Sequence, residues 1–224
     1  MTVDEKSKIR QRYLAVDTSN VSDVLDAMGY LHQGLSPAFT AYPEGNGKMA
    51  GFAYTIRGQM TASEMVGDAE KLAACAAIGP DEISVWSGDG EGVCYFGELV
   101  ALGMIEKGCV GALVDGGVRD VRWFAHHGFP VMGRYRTPVA STGRWKVNAS
   151  QLPVYLDGAT LNKVRVAPGD FILTDEDGGI VIPSALIIEV LEAAELLTAK
   201  EIEIRRQLAS GLSLADALAK YGAV

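Results

Sequence analysis

Residues 109–127 read CVGALVDGGVRDVRWFAHH, and this stretch indicates the fold of the chain. The apolar run 109–114 is of strand type, and a helix is expected over 119–127, ended by Gly128. A buried strand followed closely by a helix is typical of a largely parallel sheet covered by helices. The stretch therefore predicts an α/β fold, and it places the turn between strand and helix at a sheet edge where ligand crevices form.

The segments on either side continue this alternation. Before residue 138, the expected elements are a short helix from Ser22-Asp23 to Gly29, strands at 47–57, 83–86 and 130–134, and helices at 63–78 and 97–107. After residue 138, strands at 164–166, 171–173 and 180–182 indicate a β-rich layer, followed by a long helix from Pro183-Ser184 to Gly211 and a short last helix from Ser213 to Gly222. We expect one domain over residues 1–224.

Composition and charge argue against two classes of function. The chain has 224 residues, of which 48% are hydrophobic and 21% charged, as in ordinary globular proteins. Its formal net charge is −8 and its 20 Lys and Arg residues are scattered, so direct binding of nucleic acid is not expected. No segment approaches the ~20 consecutive apolar residues of a membrane span. We expect neither a nucleic acid nor a membrane as partner.

The cysteines and the first residues indicate a cytoplasmic protein. Cys75, Cys94 and Cys109 are odd in number and far apart, which is typical of buried free thiols in a reducing compartment. The first thirty residues carry many charges and lack the apolar core of a signal peptide.

Candidate chemistry is concentrated at two helix starts. Glu98 opens one helix, and Arg119 and Asp120 lead into the next, so all three follow carboxyl ends of predicted strands. Carboxylates suit a hard cation, a guanidinium suits an oxo acid, and free helix N–H groups suit a carboxylate. The alternative is structural, because first-turn acids are favoured by the helix dipole and Arg–Asp pairs are common on surfaces.

A family resemblance favours the functional interpretation. Gly97-Glu98, then twenty residues, then Arg119-Asp120 resembles the motif of the class II pyruvate aldolases that act on 4-hydroxy-4-methyl-2-oxoglutarate. The same family includes regulators of ribonuclease activity A and chains once labelled demethylmenaquinone methyltransferases. The likeness extends over most of the chain, through Val21-Ser22-Asp23 with Gly29, the stretch 51–55, the stretch 114–120 and the stretch 175–183.

The resemblance implies a fold and an assembly. The fold is a three-layer β/β/α sandwich with a long C-terminal helix, and the assembly is a homotrimer or a dimer of trimers with sites between subunits. It also implies a divalent metal, Mg²⁺ or Mn²⁺, and a small 2-oxo acid as substrate.

The resemblance further implies residue roles. Asp120 would bind the metal directly and Glu98 would do so through water. Arg119 would hold the oxygen that becomes the enolate. After Gly97, the main-chain N–H groups of Leu99 and Val100 would bind the substrate carboxylate.

A carboxylate on the C-terminal helix of an adjacent subunit also takes part in the family. Here we favour Glu201 over Glu203, although both also fit the solvated face of a helix.

These roles predict an aldolase that cleaves 4-hydroxy-2-oxo acids to pyruvate. Loss of carbon dioxide from oxaloacetate generates the same enolate, so a decarboxylase activity is expected at the same site. The alternative is a non-catalytic regulator that binds a ribonuclease, because a fold does not fix a function. Asp89, in a glycine-rich loop, is a further candidate for outer contacts to metal-bound water, with a turn role as the alternative.

Overall fold

A computed structural model of the chain describes residues 1–45, 47–64, 66–88 and 90–222. The helices are α1 (Val3–Tyr13), α2 (Thr18–Ala27), α3 (Ala69–Ala76), α4 (Glu98–Ile105), α5 (Val121–His127), α6 (Ile187–Ala209) and α7 (Leu214–Tyr221), with one 3₁₀ turn at Ser184–Leu186. The strands are β1 (Thr40–Tyr42), β2 (Met49–Met60), β3 (Glu82–Gly88), β4 (Cys94–Phe96), β5 (Gly111–Val118), β6 (Val131–Arg136), β7 (Trp145–Ser150), β8 (Val154–Asp157), β9 (Lys163–Val166), β10 (Phe171–Asp175) and β11 (Gly178–Ile182).

One large mixed sheet organises these elements. Its main path runs β1-β6-β5-β3-β2-β10-β11, with β4 paired to β5 and β7 paired to β2. The central pairs β2–β3, β3–β5 and β5–β6 are parallel, as the alternation of strands and helices predicts. The flanking pairs β1–β6, β2–β10 and β10–β11 are antiparallel, and β8 and β9 form a separate hairpin.

Successive residues of the central strands point to opposite faces of this sheet and create two buried cores. On one face, Val85 and Leu113 pack with Leu156 and Val166 of the β8–β9 hairpin. On the other face, α3, α4 and α5 cover one half of the sheet, and α1, α2 and α6 cover the other half. The hairpin, the sheet and the helices are three layers, so the predicted β/β/α sandwich is confirmed, including the long C-terminal helix α6.

The strand predicted for 109–114 is longer and runs to Val118, and α5 starts at Val121 instead of residue 119. The two glycines after Asp115 continue the strand because their missing side chains leave room for neighbours. A Cβ on Gly116 would lie 2.7 Å from Cζ of Tyr95, and a Cβ on Gly117 would meet the ring of Tyr135 at 2.6 Å. Gly117 is consequently able to pair with both β4 and β6.

The helix predicted for 63–78 is shorter, Ala69–Ala76. Its N-terminal part is held extended, because Thr61 N donates to Arg144 O at 2.8 Å and Ser63 N donates to Gly143 O at 3.4 Å. Asp68 then caps the helix by accepting a hydrogen bond from Lys71 N at 3.1 Å.

The cysteines and the helices bear on two further expectations. Cys75, Cys94 and Cys109 are buried and free, as predicted. Among the described residues, no helix combines the length and the apolar character that crossing a bilayer requires.

Candidate active site

The two halves of the sequence motif meet in space. β4 ends beside β5, so Gly97 and Glu98 at the start of α4 lie next to Arg119 and Asp120 at the end of β5. Asp120 Oδ2 accepts a hydrogen bond from Glu98 N at 2.9 Å and lies 3.6 Å from Arg119 Nε. Arg119 N donates to Phe96 O at 3.1 Å, which fixes the two strand ends to each other.

Gly97 permits this approach by its lack of a side chain. Its φ of −159° is extended backbone that any residue adopts, so conformation alone does not require glycine here. A Cβ at this position would lie 2.7 Å from Asp120 Oδ2 and 3.1 Å from Arg119 Cγ. Glycine is therefore required at this position because there is no room for a side chain beside Arg119 and Asp120.

Asp120 has an unusual backbone conformation. Its φ of 61° and ψ of 32° lie in the left-handed region, at the residue that precedes α5. Aspartate tolerates this region better than most side chains, yet such strain persists mainly where the surroundings impose it, often at functional sites. Here its carboxylate caps the start of α4, not of α5.

The start of α4 also offers unpaired donors. The first N–H groups of a helix have no intrahelical acceptor, and Gly97 has no side chain to cap them. Asp120 occupies the N–H of Glu98, which leaves those of Leu99 and Val100 for a ligand. Both residues line a pocket of 120 Å³ together with Gly97 and Arg119.

Arg119 stands between this pocket and a second one. The second pocket has a volume of 460 Å³ and is lined by Arg119, Asp120, Arg136 and Thr137, among others. The side chains of Arg119 and Asp120 are 44% and 37% exposed, so a ligand can reach both. Arg119 is therefore available to a small acid bound in either pocket.

The donor set suits a hard divalent cation that keeps most of its water. No group of three or more His, Cys, Asp and Glu side chains arranged to hold a metal occurs in the described part of the chain. Mg²⁺, however, usually keeps several waters and binds proteins through one or two carboxylates. Asp120 has one oxygen, Oδ1, without a partner among the described residues, and the half-buried Glu98 contributes only its N–H to the contacts described above.

The two candidate glutamates of α6 lie elsewhere in the single chain. Glu201 pairs with Arg205 at 2.5 Å, and Glu203 pairs with Arg206 at 2.8 Å. α6 packs on α1 and α2, over the half of the sheet that α4 and α5 do not cover. Within one chain neither glutamate lines the pockets at Arg119, so a role at this site requires a second subunit.

Asp115 belongs to a different cluster. Its carboxylate is buried, lies 2.5 Å from Arg134 Nε, and has Lys163 at 3.9 Å. Burial raises the pKa of Asp115 to about 6, although the Arg134 charge acts in the opposite direction. This ionic cluster lies at the end of β5, on the sheet face opposite α4. The other loop candidate, Asp89, lies outside the described residues.

Sequence reasoning missed Lys71. This residue of α3 lines the 120 Å³ pocket beside Arg119, although the sequence places it 48 positions away. A lone lysine after a capping aspartate gives no signal of its own. Only the packing of α3 against α4 and β7 brings it to the pocket.

Comparison with known proteins supports the likeness. A protein of Halalkalibacterium halodurans named as a putative 4-hydroxy-4-methyl-2-oxoglutarate aldolase is 28% identical over 82% of this chain and 80% of its own length. The Legionella pneumophila protein DlpA is 29% identical over 97% of this chain, which spans only 34% of DlpA. The structure of Streptomyces coelicolor RraAS2, described as an unusual member of the RNase ES inhibitor RraA family, has a TM-score of 0.73 at 22% identity, covering 92% of this chain and 96% of that one.

A family profile also matches the chain. The profile of the RraA-like family, described as Aldolase/RraA, matches residues 18–181. That range holds most of the sheet, both halves of the motif and the helices α2 to α5. The match covers well over half of the sequence, and the chain therefore belongs to the RraA-like family of aldolases and RraA proteins.

Proposed function

We propose that this chain is a divalent-metal-dependent aldolase that cleaves 4-hydroxy-2-oxo acids of the 4-hydroxy-4-methyl-2-oxoglutarate type to pyruvate, and that also decarboxylates oxaloacetate. The observation that carries the proposal is the convergence of Arg119, Asp120 and the open N-terminus of α4 at one accessible crevice. The aldolase named among the relatives adds support.

The residues present fit the metal. Asp120 would bind the ion directly, and Glu98 would hold it through a water molecule. A bound Mg²⁺ or Mn²⁺ supplies Lewis acidity toward the keto oxygen and carboxylate of the substrate. The N–H groups of Leu99 and Val100 bind the substrate carboxylate, which orients the 2-oxo group toward Arg119.

Cleavage of the C3–C4 bond of the substrate leaves an electron pair that the site has to stabilise. Water oriented by Glu98 takes the proton of the 4-hydroxyl, the C3–C4 bond breaks, and C4 becomes a carbonyl. The electron pair of that bond passes to the C2 oxygen as an enolate, which Arg119 stabilises with a fixed positive charge. Return of a proton to C3 gives pyruvate. With oxaloacetate, carbon dioxide leaves from C4 and the same enolate forms.

The proposed assembly completes the site. In a homotrimer or a dimer of trimers, Glu201 of an adjacent subunit would face the crevice of Arg119. The side chain of Glu201 is 18% exposed and that of Glu203 is 40% exposed. An intersubunit role for Glu201 would require its pairing with Arg205 to open on assembly.

Asp120→Asn tests the catalytic site directly. Asparagine tolerates the left-handed backbone and still accepts a hydrogen bond from Glu98 N, but it lacks the charge that holds a cation. We expect pyruvate release from both substrates to require Mg²⁺ or Mn²⁺ and to fall at least about 10²-fold in this variant. Asp26→Ala, a change at an exposed acid of α2, is the control.

The alternative is a non-catalytic regulator that binds a ribonuclease, since the family also contains RraA proteins. It predicts no pyruvate from either substrate with any divalent metal. Turnover that survives both a chelator and Asp120→Asn would reject the proposed site.

A further inference from the structure

Lys71 places a cation against the pocket at the start of α4. Its Nζ donates to Tyr95 O at 2.5 Å and lies 5.4 Å and 5.8 Å from the ring centroids of Trp86 and Trp145. An ammonium has three donors, and the Tyr95 carbonyl is its one hydrogen-bond acceptor among the described residues. Two N–H donors therefore stay available on the side of the pocket that Lys71 lines.

Lys71 forms no salt bridge with any described carboxylate. Asp68, three residues before Lys71, uses one oxygen for Lys71 N at 3.1 Å and the other for Val147 N at 2.9 Å. Burial is the largest influence on the pKa of Lys71 and lowers it; the Arg119 charge acts in the same direction, whereas the Asp68 charge acts in the opposite one. A half-buried ammonium without a salt bridge carries a desolvation cost, which its contacts with the two indole rings offset only in part.

The charged side chains that line the pocket are both positive. Lys71, Arg119 and the N-terminus of α4 line its 120 Å³, and the remaining lining is neutral, with Ser141 and Thr142 as the hydroxyl donors. None of the described residues that line it is an acid. Such a lining selects a small anion with more than one acceptor oxygen.

We propose that Lys71 binds the carboxylate of the 2-oxo acid in this pocket, opposite Arg119, and so provides the counter-charge that the α4 N–H groups alone do not supply. This rests on the proposed function for the identity of the acid. A structural role, in which Lys71 only ties α3 to the Tyr95 carbonyl, is the competing explanation.

The variant Lys71→Met distinguishes anion binding from a purely structural role. Methionine keeps the unbranched stem against both indole rings and removes the charge and its donors. We expect the dissociation constant of oxalate, a planar dianion shaped like the pyruvate enolate, and KM for oxaloacetate to rise about 10- to 100-fold, the range for one hydrogen bond to a charged group. Because the desolvation cost of a half-buried ammonium is removed, the melting temperature should not fall.

Lys107→Met is the matched control, since Lys107 is an exposed lysine just beyond the other end of α4. It should leave the oxalate affinity and KM unchanged. An unchanged oxalate affinity in Lys71→Met would overturn the proposal. A lower melting temperature together with an unchanged affinity would assign Lys71 a structural role only.

A second measurement needs no variant. Acetic anhydride acylates lysine amines, and oxalate should slow labelling of Lys71 in the wild type while labelling of Lys107 continues at the same rate. If oxalate slows the labelling of neither lysine, the proposal is overturned, even if Lys71→Met fails to fold. A covalent adduct at Lys71 after borohydride treatment with pyruvate would also overturn it, because the lysine would then act as a nucleophile.

These outcomes differ from those that test the function. If oxalate binds through Lys71 but neither 2-oxo acid is cleaved, the proposed function fails and the anion site stands. If cleavage depends on Asp120 but not on Lys71, the anion site fails and the function stands.

Discussion

Replacing Gly97 with alanine perturbs the candidate site at its most crowded point. The added Cβ would lie 2.7 Å from Asp120 Oδ2, whereas ordinary van der Waals contact begins at 3.4 Å. The extended backbone of Gly97 accepts alanine without strain, so the relief must come from Asp120. Its carboxylate has to move by about 0.7 Å, away from the Glu98 N–H that it now accepts at 2.9 Å.

The expected loss follows from that displacement. A hydrogen bond to a charged group contributes about 1.5–3 kcal/mol, and a misplacement on the order of 1 Å at a catalytic group costs about 10²-fold in rate. We therefore expect kcat/KM for oxaloacetate to fall about 10²-fold. The fold should survive, because alanine in place of glycine at a helix N-cap costs only about 1 kcal/mol.

The assay is pyruvate release from oxaloacetate with saturating Mg²⁺, together with a thermal melt of each variant. Gly103→Ala is the control, because it lies in the same helix and nothing lies within 4 Å of its added Cβ. That change should stabilise α4 by about 0.5–1 kcal/mol and leave turnover intact. Wild-type turnover in Gly97→Ala would refute the view that the position of the Asp120 carboxylate governs catalysis.

Three further predictions concern the sheet, the ionic cluster and the assembly. Gly116→Ala forces a Cβ against the Tyr95 ring and should lower the free energy of unfolding by about 1–3 kcal/mol, measured by urea denaturation. Burial raises the pKa of Asp115 to about 6 from 3.8, so the folded state holds a proton that the unfolded state loses between these pH values. The free energy of unfolding should therefore fall by up to about 3 kcal/mol as pH rises from about 4 to 6, and Asp115→Asn should remove this fall. An unchanged pH profile of stability in that variant would contradict the prediction. If Glu201 acts across subunits, Asp120→Asn and Glu201→Gln chains should each be inactive alone and regain partial activity when mixed, whereas Glu203→Gln should stay active.

Much of the fold follows from local pattern. The apolar runs and the glycine stops predict the central parallel strands and the helices between them, because each buried strand has to be covered on both faces. The short strand β4 was missed, since three residues carry too little periodicity to distinguish a strand from a loop. The end of β5 was missed because Asp115 and two glycines look like a turn until Tyr95 and Tyr135 are in place.

The candidate site also has a part that the sequence predicts and a part that it does not. The approach of the main chain at residue 98 to Arg119 and Asp120 was predictable, because residues that follow neighbouring parallel strands reach one sheet edge. Lys71 was not, since its position depends on how α3 packs against α4 and β7, and helix packing leaves no local signature in the sequence. The role of Glu201 stays a prediction, because α6 lies over the other half of the sheet in the single chain.

The link between Asp120 and the start of α4 passes through a peptide N–H, not through the side chain of residue 98. Every amino acid except proline offers that donor, so the hydrogen bond between residue 98 and Asp120 does not depend on the side chain at position 98. Descendants of one ancestor can thus exchange the chemical group there while the architecture around it stays intact. This hydrogen bond would allow the family, which includes aldolases and RraA proteins, to change function at position 98 while the fold is kept.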